Sequence, residues 1–185
     1  MEQETILKIE QSIKNLESKS ARIYFLVQDT KGNAKAGIRF IYQMAKSLKD
    51  NGFNPIILHE TQAYQGVAEW MGAEYMEIPH NAIENQNLQI SPEDIVVIPE
   101  IYGHVMEQIS KLPCGKIVLC QAYDHMLETL SPGISWSQYG FMKCITTSDL
   151  QKEHVSKIMK NVSFDIVEPL IPELFNKKEK PAKPI

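Results

Sequence analysis

Apolar residues in this chain follow two rhythms: short unbroken runs, and stripes spaced by three and four. Ile23-Tyr24-Phe25-Leu26-Val27-Gln28 is a run of apolar and strand-forming residues bounded by polar ones. It predicts a strand buried on both faces. A polar loop with Gly32 and Gly37 follows, and then Ile38, Ile41, Met44, Ala45 and Leu48 recur at helical spacing until Asn51-Gly52 stops them. Pro55-Ile56-Ile57-Leu58 reads as the next strand. Together these make a β-α-β unit whose loop lies at the carboxyl end of the first strand, where open parallel sheets bind ligands.

The same two rhythms run through the rest. Ile6, Ile9, Ile13 and Leu16 mark an amphipathic helix over residues 4–18. Residues 63–72 read as a short helix closed by Gly72, and the alternating residues 73–78 as a short third strand. Residues 79–90 are polar and aperiodic, hence a loop, and Ser91-Pro92-Glu93-Asp94 reads as a capped turn. Ile95-Val96-Val97-Ile98 is a compact strand ended by Pro99, and residues 103–112 form a helix with Val105, Met106, Ile109 and Leu112 on one side. Residues 116–120 are another buried strand, and 121–140 are irregular with short helical pieces. Strands are expected at 144–147 and 164–167. Between them lies a helix introduced by Ser148 and Gln151, a capping-box pattern, with Leu150, Val155, Ile158 and Met159 on its stripe. The alternation of strand and helix predicts an α/β fold with a mainly parallel sheet covered on both faces. The domain reading is a helix in 1–20, a Rossmann-like domain in 21–175, and a lysine- and proline-rich exposed tail or linker start in 176–185.

Composition narrows the function classes. At 185 residues the chain is long enough for a real core, and its net charge of −4 argues against nucleic acid as the main partner. No apolar run approaches the length of a membrane span, and the acidic N-terminus is not a secretory signal. Cys114, Cys120 and Cys144 lack CxxC spacing and read as reduced buried thiols of a cytoplasmic protein, with no metal expected.

Candidate chemistry gathers at the carboxyl ends of the expected strands. The first loop, residues 28–37, lacks GxGxxG. It also lacks the P-loop, because Ile38 and Arg39 stand where Lys and Ser/Thr belong. Gly37 and Lys35 at a helix start nevertheless suit a phosphate or sugar passing close to the backbone; a plain connection is the competing reading. Glu60 reads as a solvated strand end. Glu100 and Tyr102 follow the fourth strand; Gln121, Tyr123, Asp124 and His125 follow the fifth. These groups suit hydrogen bonding to a polyhydroxylated ligand, with His125 an acid, base or hydrogen-bonding group near neutral pH. His59, His80, His104 and His154 show no metal spacing and read as structural or exposed, and Trp136 with Tyr139 and Phe141 as core or domain contact.

Residues 37–53, Gly-Ile-Arg-Phe-Ile-Tyr-Gln-Met-Ala-Lys-Ser-Leu-Lys-Asp-Asn-Gly-Phe, resemble the glycine-to-histidine helix segment after the first strand of GT-B-fold, family-4-like glycosyltransferases. Residues 94–99 are similar to that family's "D-V-V" strand, 144–149 to its "v-i-a-x-S" stretch, and 167–175 to the stretch ending its N-terminal domain. The departures are Ala36 for the first of two paired glycines and Phe53 for the usual histidine. The resemblance covers 21–175. It implies a Rossmann-like three-layer sandwich that is one half of a GT-B fold, the acceptor-side domain of a nucleotide-sugar-dependent enzyme of polysaccharide or cell-surface glycan synthesis. It further implies His125 and Asp124 nearest the chemistry, and Gly37, Lys35, Glu100, Tyr102, Gln121 and Tyr123 as substrate contacts. No cofactor or metal is implied; the nucleotide-sugar donor is held mainly by a C-terminal Rossmann domain beyond this chain, so that the isolated chain is inactive. A sugar or glycan acceptor and peripheral membrane association of the full enzyme complete the expected partners. The alternatives are a non-catalytic α/β interaction module and a phosphosugar epimerase-like domain.

Overall fold

The computed structural model describes residues 21–64 and 68–169; the expected helix at 4–18 and tail at 176–185 lie outside them. Among the described residues seven strands form a single sheet. They are β1 (Arg22–Val27), β2 (Asn54–His59), β3 (His80–Ala82), β4 (Ile95–Pro99), β5 (Gly115–Cys120), β6 (Lys143–Thr146) and β7 (Ser163–Ile166). Their order is β3-β2-β1-β4-β5-β6-β7 and every pairing is parallel. The chain therefore runs outward in one direction through β3 and in the other from β4. The switch point lies between β1 and β4, where open α/β sheets bind ligands beyond the strand ends.

Register fixes which residues share a face, because successive strand residues point to opposite sides. Phe25 sits level with Ile57 of β2 and Val97 of β4. These side chains and Leu119 pack beneath α1 (Ala36–Asp50), which contributes Ile38, Ile41, Tyr42 and Ala45. Tyr24, Leu26, Val96, Ile98, Val118, Cys120 and Cys144 point the other way. That layer is closed by α3 (Met106–Ser110), α4 (Tyr123–Thr129) and α5 (Asp149–Ile158), with Met106, Met126, Trp136, Phe141, Val155 and Met159. Layers on both faces of a parallel sheet are the three-layer arrangement that continuous apolar strands demand. Trp136 is fully buried, so the core reading of the aromatic cluster holds. All three cysteines are buried free thiols.

The structure differs from the sequence reading at the β3 edge. Residues 73–78 are not a strand; Ala73–Glu77 is a 3-10 helix. Tyr75, Met76 and Ile78 all pack toward the α1-side core, a spacing that suits a tight turn rather than alternation. The edge strand is instead His80–Ala82, within the stretch expected to be loop, and it pairs in parallel with Ile57–His59. Within the expected helix 63–72, the described helical part is α2 (Ala68–Met71). The expected helix at 103–112 opens as a 3-10 turn, Glu100–Val105, before α3. Ser148 does cap α5, accepting from the Gln151 amide, but the Gln151 side chain accepts from Thr147 instead of closing a capping box.

A charged staple holds the base of the sheet. Asp94 is buried, and its carboxylate accepts from the Arg22 amide, from two guanidinium nitrogens of Arg22 and from the Ser91 amide. Burial alone would raise the Asp94 carboxyl, but these hydrogen bonds outweigh it and hold it below its ordinary value. Arg22 also reaches the Gln89 carbonyl and pins the segment before β4. Beneath that segment lies a cavity of about 240 Å³. Leu26, Leu58 and Val96 form its floor, Ile109 and Leu112 a wall, and Ile83, Leu88 and Ile90 its cover.

Candidate functional site

A larger cavity, about 630 Å³, opens at the carboxyl rim of β1, β4 and β5. Its lining includes Gln28 after β1, Lys35 and Gly37 at the start of α1, Glu100 after β4, Gln121 and His125 around the start of α4, Thr147 after β6 and Pro169 after β7. The volume lies within the usual range for small-molecule sites. Topology, not sequence proximity, brings these groups together: parallel strands all end on one rim, so each strand-to-helix turn delivers residues to the same place.

Glu100 is the best-anchored of them. It is 2% exposed, yet its carboxylate lines the cavity. Oε2 accepts from the Gln121 amide at 3.0 Å and Oε1 from the Ala122 amide at 2.9 Å. Ala122 is the N-cap of α4 and has no side-chain oxygen to cap with; Glu100 supplies the negative group that a helix start favours. Oε1 is also 3.7 Å from His125 Nδ1, and the imidazole is half-exposed. Burial pushes the Glu100 carboxyl above its ordinary value, and the two amides and His125 only partly offset this. Thr129 hydroxyl lies 3.0 Å from the Glu100 carbonyl and ties α4 to the Glu100 turn.

Gly37 lets the Gln121 side chain approach the start of α1 closely. A Cβ at this position would stand 2.5 Å from Oε1 of Gln121, across the cavity wall. Lys35, the N-cap residue of α1, makes no side-chain cap, and the first turn carries no acidic residue. The rim beside Gly37 thus has a positive helix end, and Lys35 lines the same cavity as Glu100.

Of the residues expected from sequence, Lys35, Gly37, Glu100, Gln121 and His125 share this cavity. Three others do not line it. Tyr102 is 4% exposed within the core, its hydroxyl donating to Glu60 at 2.7 Å. Tyr123 is on the outer surface of α4, stacked on His154. Asp124, next to His125, is exposed. Sequence reasoning did not single out Thr147 or Pro169. The rule that found Gln121, a polar residue just past a strand end, would also have found Thr147.

A second polar cluster lies at the end of β2. His59 Nε2 and His80 Nδ1 are 2.9 Å apart, and the Tyr64 ring stacks flat on His59 at 3.5 Å. The other ring nitrogens, His59 Nδ1 and His80 Nε2, are buried without partners, as is the Tyr42 hydroxyl. Burial, then the neighbouring His80, lowers His59 to about 4, with Asp29 pulling weakly the other way; burial lowers His80 as well.

Compared with family models, with curated proteins and with solved structures, this chain finds no match, so its function is argued from the rim cavity itself.

Proposed function

We propose that this chain is the acceptor-side domain of a nucleotide-sugar-dependent glycosyltransferase, acting in polysaccharide or cell-surface glycan synthesis. The observation that carries the reading is the rim cavity at the β1/β4 switch point, which gathers Lys35, Gly37, Glu100, Gln121 and His125. A sugar hydroxyl donates to carboxylate and imidazole and accepts from amide and ammonium groups, and the cavity offers each type. Glu100 is fixed in place before any ligand arrives, as a selective polar contact must be.

In this role His125 takes the proton from the acceptor hydroxyl. The acceptor oxygen forms its bond to the anomeric carbon of the donor, and the bond to the leaving diphosphate breaks with its electron pair going to the phosphate oxygen. In this reading the donor comes from a second lobe facing this rim, and Lys35, which lines the cavity, supplies a positive charge for the released diphosphate.

The test is saturation-transfer and amide-shift NMR of the chain with a panel of monosaccharides and glycosides. The reading expects millimolar binding with shifts at Gly37, Gln121 and His125. Calorimetry of a two-lobed protein containing this chain should then detect UDP- or GDP-sugars. Shifts confined to other surfaces, or a two-lobed protein that binds neither nucleotide sugar, would overturn it. A non-catalytic interaction module is the second reading, favoured by exposed Leu127 and Leu150 on α4 and α5; it expects no glycoside shifts at the rim.

A further inference from the structure

The 240 Å³ cavity beneath the 83–90 segment is separate from the rim site, and its lining is of another kind. Among the described residues, all that line it are aliphatic, with Leu26, Leu58 and Val96 as its floor. Water needs two or more polar partners to occupy such a space, and these side chains offer none. A dry void costs stability in proportion to its volume, since protein interiors otherwise pack as densely as organic crystals. Its cover is also tied in place. The Gln89 carbonyl takes a guanidinium hydrogen bond from Arg22 at 2.9 Å, and the Leu88 amide donates to Asn85. Ile83 remains 51% exposed beside the opening.

We infer that this cavity is a binding site for an unbranched aliphatic chain, the tail of a small amphiphile whose polar end stays in solvent near Ile83. At about 30 Å³ for each water-sized group, the space takes roughly eight such groups, a chain of about eight carbons. Aliphatic walls without an aromatic face or a hydrogen-bonding side chain suit a hydrocarbon and select against sugars, nucleotides and aromatic rings. The inference does not depend on the glycosyltransferase reading, because among the described residues the cavity and the rim share no lining residue.

The test uses the full chain with methyl-labelled leucine, isoleucine and valine, titrated with monomeric n-alkanols from butanol to dodecanol. Saturable shifts are expected at Leu26, Leu88 and Ile109. Affinity should rise about fourfold per added methylene and then level off near eight carbons. Leu58→Phe, which fills the floor, should abolish saturation while the Gly37 and Gln121 amides stay in place. If that variant does not fold, Ile109→Phe gives the same reading from the wall, and the wild-type length series stands by itself. The inference fails if the lining methyls show no saturable shift. It fails equally if affinity climbs through dodecanol without a break, or if the shifts centre on exposed Leu127 and Leu150.

Discussion

Acid should weaken this fold through His59. The imidazole is 3% exposed, covered by the Tyr64 ring, hydrogen-bonded to His80 on β3 and sensitive to Asp29 after β1, with Tyr42 of α1 against His80. A neutral pair shares one proton between Nε2 and Nδ1. One added proton makes an imidazolium in a buried place that solvates charge poorly, and a further proton on the partner sets two cations at hydrogen-bond distance. His59 is accordingly lowered from 6.5 to about 4. The unfolded chain therefore binds the proton first, so this contribution is complete above about pH 6.5 and is lost as pH falls from there toward 4. The loss is about 2 kcal/mol between pH 7 and pH 5 and about 3 kcal/mol in full, against a total of about 5–15 kcal/mol for an ordinary domain. Glu100 works the other way in the upper acid range: its raised carboxyl gains stability as pH falls through its folded value. Asp94, held low, loses stability only below its ordinary 3.8. Urea unfolding at half-unit steps from pH 7.5 to 4.5, wild type against His59→Gln, isolates the histidine. The variant should lose at least half of the wild-type slope, with His80 supplying the remainder. Equal slopes in the two proteins, or a folded-state His59 resonance titrating near 6.5, would refute the reasoning.

Four substitutions probe the rim and the sheet base. Glu100→Gln keeps the shape but can accept only through one oxygen, so one of the amides of Gln121 and Ala122 loses its acceptor. It should cost about 1–3 kcal/mol by urea unfolding and shift the His125 tautomer seen in nitrogen-15 NMR. Gly37→Ala meets only the movable end of Gln121, and Gly103→Ala meets the Thr129 backbone at 2.8 Å. Gly37→Ala should stay within about 1 kcal/mol of wild type while losing glycoside shifts at the rim, and Gly103→Ala should cost about 1–3 kcal/mol by thermal or urea unfolding. Asp94→Ala leaves the Arg22 and Ser91 donors without their carboxylate and should cost about 2–4 kcal/mol, read the same way.

Local pattern by itself determined most of the elements: unbroken runs such as Ile95–Ile98 have nowhere to go but a sheet covered on both faces, and the α1 stripe declares its buried side. It also pointed to the strand-end turns as the place for chemistry. What it could not determine was the short edge strand His80–Ala82, because three residues are too few to show a period of two. Nor could it separate Glu100 from Tyr102, two residues apart in one 3-10 turn, the first facing the cavity and the second buried against Glu60. Which of two neighbouring side chains reaches a site depends on the rotation of a turn, and that is set by packing between elements far apart in the chain. The His59–His80 pair and the aliphatic cavity are decisions of the same kind, made where β1, β2 and β3 come into register and their faces meet what covers them.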